Sequence, residues 1–228
     1  MEKRDKTYEV VIEAINQMVR DGSVTRGDRL PPERQLAIDL GVSRTSIREA
    51  LKTLEVIGLL ERRHGGGTFI KDDFTNALER PVSLLLAFDR IEKNEILELR
   101  TMVEAEMTYY AAMRISDKEI ENLKRILMHM IDEEDEKIST QYDKQFHFAI
   151  AKASQNHLIQ SLYKVIYNLL DQFIGEIRYF VSLEDSELVD QTHIKIFEAI
   201  EAKDPDLARQ AMGNHMKTVI EYFDKNMR

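Results

Sequence analysis

Residues 30–70 read LPPERQLAIDLGVSRTSIREALKTLEVIGLLERRHGGGTFI, and the punctuation of this stretch decides the N-terminal fold. Pro32 suits the first turn of a helix, where its missing N–H leaves no intrahelical bond unmade. Gly41 stops that helix, and Ser43 is a good N-cap for the next, which Gly58 ends. Ala50, Leu51 and Leu54 give this second helix a core-facing side. LLERR and TFIK, on either side of a glycine triplet, read as two short strands joined by a tight wing. A short helix, a four-residue connection and a second helix make a helix-turn-helix, and the hairpin makes it winged. Upstream, Tyr8, Val11, Ile12, Ile15 and Val19 recur at helical spacing and predict a helix over roughly 7–21. DGSVTRGDRLP then reads as turn and extended chain, broken by Gly22 and Gly27.

In such a unit the second helix enters the major groove with its N-terminal part toward the bases. That places Arg44, Thr45 and Arg48 on the DNA-facing side, where an arginine fork can take a guanine edge or a phosphate. Arg34, in the first turn of the preceding helix, is better placed for the DNA backbone, and Ser43 and Ser46 can donate to phosphates. His64 in the wing suits a phosphate or plain solvation. Gly66 is the expected wing tip, where the lack of a side chain lets the backbone come close. The competing reading is a small helical domain with ordinary solvated arginines. The arginines, the cap, the glycine wing and the charge contrast along the chain together favour the first. The chain carries a formal −9, which argues against nucleic acid, but residues 1–73 hold thirteen basic and thirteen acidic side chains and are neutral. Within 26–71 nine basic face six acidic residues, so one segment can meet phosphate while the rest repels it.

The 228 residues, 43% hydrophobic, suffice for two domains: a DNA-binding domain over 1–73, a polar linker over 74–80 merging into Pro81, and a second domain over 81–228. Cysteine is absent, so disulfides and thiolate zinc sites are excluded. No signal-peptide pattern opens the chain, and the longest apolar run, LLLAF at 84–88, is too short to span a bilayer. The expectation is a soluble cytoplasmic protein with no membrane partner.

Beyond residue 80 only helical periods recur. They predict spans at 81–88, 92–114, 117–136, 138–154, 156–181, 185–202 and 205–225, and hence an all-helical bundle of six or seven helices. The fold class is mainly α, with the small β-hairpin of the wing as the exception. Ser116 with Glu119 makes a capping box, and Asp204 before Pro205 reads as N-cap and first helical residue. The methionines, Met102 and Met107 among them, read as core. In DKQFH, Asp143 and His147 stand one turn apart on one helix face. His193 and His215 lie some ten and eleven residues either side of the turn near 203–204; at ~1.5 Å rise per residue they reach nearly the same height on neighbouring helices. One carboxylate and three imidazoles suit zinc, nickel, manganese or iron. The same residues can equally be a surface ion pair and two histidines that cap or hydrogen-bond.

The residues 30–70 quoted above, extended to about 8–71, closely resemble the DNA-binding domain of the GntR family of bacterial transcription regulators. The resemblance implies dimers on short palindromic operators, with Arg34, Arg44 and Arg48 contacting DNA and Gly66 in the minor groove. ILELRTMVEAEMTYYAAMR, DKQFHFAIAKASQN and THIKIFEAIEAKDPDLARQAMGNHM resemble the FCD ligand-binding domain of the FadR subgroup over about 80–225. Many members hold a divalent metal by one Asp and three His, and the matching positions are Asp143, His147, His193 and His215. What this implies is a divalent transition metal, zinc before nickel or manganese, beside which a small carboxylate effector binds. Arg100 matches an arginine that can clamp such a carboxylate; its alternative is a salt bridge to Glu104 or Glu98. Asn156 is either an N-cap or a cavity residue, and Arg178 and Tyr179 are expected on a pocket-lining helix. The function implied is a sequence-specific regulator: a repressor released by its ligand is the commoner behaviour of the family, beside activation or repression strengthened by the ligand. Two other readings stand beside it: a metal that is purely structural, and a helical metallohydrolase fused to a DNA-binding domain. The last finds no HExxH or other hydrolytic signature in the chain.

Overall fold

Two separately packed units make up the chain, Met1–Val82 and Ser83–Arg228. The structure, a computed structural model, describes residues 2–72, 75–89 and 92–226, without the side chains of 2–7, 75–76, 86–87, 89, 93, 170–186 and 226.

The first unit runs α1 (Glu2–Arg20), α2 (Glu33–Asp39), α3 (Arg44–Ile57), β1 (Leu60–Arg63) and β2 (Gly67–Ile70). Its core gathers Val11 and Ile15 of α1, Leu36 of α2, Ile47, Ala50, Leu51 and Leu54 of α3, and Leu60 and Ile70 of the hairpin. The ends of α3 follow from its flanking residues. Ser43 Oγ accepts the Ser46 N–H at 3.1 Å, and Gly58 closes the helix in the left-handed region at φ 95°, where a Cβ would be strained. Pro32 stands at the N-cap, one residue before its expected place, within the ordinary uncertainty of a helix end.

The hairpin pairs antiparallel from Leu60↔Ile70 to Arg63↔Gly67. Gly66 N–H donates to Arg63 O at 2.9 Å, so His64 and Gly65 are the central turn residues and Gly66 closes the turn. The extended chain before α2 joins the other side of β2: Leu30 N–H donates to Thr68 O, and Ile70 N–H to Asp28 O, both at 2.9 Å. Arg29 passes against Gly67, whose φ is 105°; a Cβ there would stand 2.8 Å from Arg29 Nε.

After β2 come α4 (Thr75–Asp89), whose end lies in the second unit, and then α5 (Lys93–Arg114), α6 (Asp117–Asp132), α7 (Glu136–Ala153), α8 (His157–Glu201) and α9 (Pro205–Asn226). The boundary between units falls inside α4, one residue beyond Pro81; from Thr75 the stretch read as linker is helical. The helices number six because the two expected over 156–181 and 185–202 are one, α8, of 45 residues. VSLEDSELVD, where the break was placed, contains neither glycine nor proline. Its serines and acids only mildly disfavour a helix and do not stop one.

The caps fall as their sequence positions predict. Ser116 and Glu119 form a reciprocal capping box on α6, and Asp204 accepts from Leu207 N–H at 3.0 Å ahead of α9. Leu97, Met107, Leu123, Phe146, Ile150, Ile196, Ile200, Met212 and Met216 are among the buried side chains of the bundle. Met102 is not: it is 62% exposed, because it lies on the opposite face of α5 from Met107. Helices α5 and α8 both pack on α9, and α7 packs on α5 and α8. These four enclose one interior.

Gly67→Ala is expected to destabilise the winged unit by ~1–3 kcal/mol, the cost of holding a Cβ at a strongly positive φ. Urea unfolding followed on the full chain would show it, and Gly66→Ala, at a position without positive φ, should cost less.

Candidate metal centre and nucleic-acid interface

Four polar groups from three helices meet in the bundle interior. α7 brings Asp143 and His147, α8 brings His193 and α9 brings His215, all buried. One ligand atom from each of the three histidines lies within 4.8 Å of the others, so together they can coordinate a metal ion. Asp143 Oδ1 stands 3.1 Å from His193 Nε2 and 3.9 Å from His147 Nε2.

The surroundings assign the ring protons. His193 Nδ1 lies 3.0 Å from Val189 O; a carbonyl only accepts, so Nδ1 carries the hydrogen. Thr192 Oγ1 donates to Val189 O at 2.6 Å, which leaves it to accept from His215 Nδ1 at 2.9 Å. Both rings therefore present Nε2 with its lone pair toward the cluster. Burial, and then the neighbouring His193 and His147, push the His215 pKa well below its ordinary value, which keeps this ring neutral. In the neutral ring His193 Nε2 and the Asp143 carboxylate are both acceptors, and they face each other at 3.1 Å. Two ligand atoms sharing one ion at ordinary metal–ligand distances stand about 3.0–3.4 Å apart. His147 Nε2, fully buried, has no hydrogen-bond partner among the described residues. The donor set fits a divalent metal.

A second layer comes from α5. Arg100 is buried and donates from Nε to Glu104 Oε1, the salt-bridge alternative of the two roles weighed for it. Glu104 Oε2 lies 2.5 Å from His147 Nδ1, off the N–H direction of a full hydrogen bond. Burial pushes the Glu104 carboxyl up, but Arg100 and His147 more than offset it and hold its pKa down at about 2. Glu104 entered the sequence reading only as a partner for Arg100; its own signal was the i, i+4 spacing in RTMVE. Asn156 is the N-cap of α8, accepting from Leu158 and Ile159 N–H at 3.0 and 3.2 Å. The side chains of Arg178 and Tyr179 lie outside the described residues.

In the winged unit Arg34, Ser43, Arg44, Thr45, Arg48 and His64 are exposed, while Ser46 and Gly66 are half-buried. Ser43 Oγ is shared between the Ser46 N–H and its hydroxyl, 2.9 Å away. Arg48 donates from Nε and Nη2 to Glu33 Oε2 at 3.3 Å, and Arg62 Nη2 reaches Glu33 Oε1 at 3.4 Å. One carboxylate at the start of α2 thus ties α3 to the wing. Neither Glu33 nor Arg62 was singled out from sequence, since only the fold brings them together. A cleft of about 370 Å³ runs between this helix start and the wing, lined in part by Arg29, Arg62, Arg63 and His64.

Residues 7–70 match the model of the bacterial regulatory proteins of the gntR family, and residues 95–218 match the FCD domain. The chain belongs to the GntR family of transcription regulators. A protein of Escherichia coli K12 named for regulation of the L-lactate dehydrogenase operon is 35% identical, over 95% of this chain and 87% of its own. The HTH-type transcriptional regulator LutR of Bacillus subtilis is 30% identical, over 92% of this chain and its full length. A solved GntR protein of Streptococcus agalactiae superposes with a TM-score of 0.67 at 27% identity, covering 94% of this chain and 99% of that one. As a GntR regulator with an FCD domain the chain is a DNA-binding protein rather than an enzyme. Among its described residues no helix is long and apolar enough to cross a membrane.

Two outcomes are expected. Arg44→Ala and Arg48→Ala should each cost ~1–3 kcal/mol of affinity for DNA selected on the parent protein. Arg34→Ala should instead lower the slope of log affinity against log salt by about one; fluorescence anisotropy at several salt concentrations reads both. In the metal-free protein His215 stays neutral when folded and protonates near 6.5 when unfolded. Its contribution is complete above that pH and is lost as pH falls below it, at up to ~1.4 kcal/mol per pH unit. Urea midpoints against pH in chelator would show the fall, and His215→Gln should flatten it.

Proposed function

We propose that this regulator is a homodimeric repressor of a palindromic operator, released by a small organic acid that binds beside a divalent metal in its C-terminal bundle. Asp143, His147, His193 and His215 are the metal ligands, with zinc the first candidate and nickel or manganese next. Arg44, Thr45 and Arg48 of α3 read the DNA, Arg34, Ser43, Ser46 and His64 hold its backbone, and Gly66 sits at the minor groove.

The charge of the buried cluster carries the reading. One guanidinium, Arg100, faces two carboxylates, Glu104 and Asp143, among three imidazoles. With those rings neutral the set is one negative charge, and a divalent ion turns it into one positive charge. An unpaired buried charge is costly, so the loaded site favours a monoanion, and a carboxylate is one. When bound, the ion supplies a Lewis-acid position for that carboxylate. The side chains hold the ion, keep their own protons on Nδ1 and exclude water. A relative named for regulation of the L-lactate dehydrogenase operon supports an acid as effector. The acid acts on DNA only in so far as it binds one arrangement of the dimer better than the other.

Full burial of all four ligands favours one alternative, a purely structural metal, since closed sites are the structural kind. Metal content by elemental mass spectrometry, on protein purified without chelator or tag, comes first; about one ion per chain is expected, and His193→Ala should abolish it. A panel of monocarboxylates, including lactate and pyruvate, is then tested on loaded and chelated protein. An acid at a hundred times its Kd should stabilise only the loaded form, by ~2.7 kcal/mol, and release operator DNA. If chelation lowers the melting temperature but no acid changes DNA binding, the metal is structural.

A further inference from the structure

Helix α5 supplies no ligand to the metal site, yet it drives two charged side chains into the same interior. Glu104 is fully buried and Arg100 nearly so. One oxygen of Glu104 takes Arg100 Nε, and the other stands 2.5 Å from His147 Nδ1. The remaining nitrogen of that ring, Nε2, turns to the Asp143 carboxylate at 3.9 Å and so to the cluster. A carboxylate can only accept, so the contact at Nδ1 is favourable with the ring hydrogen there and repulsive with it on Nε2. The other two rings receive the same instruction from neutral groups, a backbone carbonyl and a threonine hydroxyl. His147 alone receives it from a full negative charge. A carboxylate behind a ligating imidazole fixes its tautomer and raises its basicity, and Arg100 compensates the charge this leaves in the core.

We propose that Glu104 is the positioning residue of the metal centre: it keeps the His147 hydrogen on Nδ1 and Nε2 aimed at the ion, with Arg100 balancing its charge. The affinity of the site is thereby set from α5, a helix that touches the ion with none of its own atoms. This rests on the metal reading above. The bland competitor is a salt bridge that only fastens α5 to α7.

The test uses the full chain and Glu104→Gln, with zinc as the probe. Removing one partner of a buried ion pair can unfold a protein, so Arg100→Met/Glu104→Gln, which removes both charges, is carried beside it. Zinc affinity is measured by competition with a chromophoric chelator. The tautomer of His147 is read from long-range ¹H–¹⁵N spectra of chelator-treated protein, assigned by loss of the signal in His147→Gln. The parent should show His147 as the Nδ1–H form. In at least one folded variant the Nε2–H form should gain, and zinc should bind ~10- to 100-fold more weakly at the same saturating stoichiometry. A parent ring in the Nε2–H form overturns the proposal. So does parental zinc affinity in both variants, or weakened affinity with an unchanged tautomer, which would mark the salt bridge as fastening only. A parent that takes up no zinc overturns the metal reading itself, an outcome distinct from the other three.

Discussion

The contact of Glu104 with both Arg100 and His147 constrains the rest of the C-terminal bundle. Charges in an apolar interior are tolerated only in pairs, and each pair demands geometry that the flanking packing must supply. Leu97, Met107, Phe146, Ile150 and Ile196 are fully buried in the same bundle, and in so apolar an interior a misplaced partner is expensive. The rotation of α5 about its axis is set by having to bring Arg100 and Glu104 inward together, which their i, i+4 spacing allows. The rotation of α7 is set in the same way by Asp143 and His147. α8 and α9 follow, because His193 and the partner of His215, Thr192, both bond to the Val189 carbonyl. The rings of His193 and His215 are thus already oriented, with their Nδ1 hydrogens assigned, by groups behind them.

The two units use charge in opposite ways. Among the described residues of the bundle the buried charges Arg100, Glu104 and Asp143 gather with three histidines, and residues 74–228 carry the acidic excess of the chain. In the winged unit the arginines of α3 are exposed, and Arg48 meets the half-buried Glu33 at 3.3 Å, a partly solvated pair of small energetic weight. A phosphate or a base edge can displace so weak a partner, as a DNA-reading surface requires. A buried polar cluster needs permanence and a DNA-binding surface needs availability, and burial against exposure provides the difference.

Much of this was legible in the sequence. The winged unit was, because its signals are local: Ser43 as a cap, Gly58 as a stop and the glycine triplet as a turn each act within a few residues. The misplacements there were small: Pro32 is the N-cap of α2 rather than its first residue, and Gly66 closes a turn whose centre is His64 and Gly65. The caps at Ser116, Asn156 and Asp204 were legible for the same reason. The height match of His193 and His215 was also legible, since two helices joined by a short turn run antiparallel and the rise per residue is constant. The unbroken α8 was misread, because serines and acids mark loops only by correlation, whereas a helix ends where a backbone breaker or an alternative set of bonds makes it end.

What the sequence determined by itself was the order of elements, the helical face shared by Asp143 and His147, and the residue types able to hold a metal. What only the tertiary structure decided was which atoms face inward and who stands behind them. Glu104 stands against His147 because α5 and α7 pack together, and Glu33 joins α3 to the wing across 15 and 29 residues of chain. Met102 and Met107 carry the same side chain, yet one is exposed and the other buried. Propensity and spacing are properties of a segment, whereas burial, pairing and ring protonation depend on groups distant in the chain and exist only once the helices have packed.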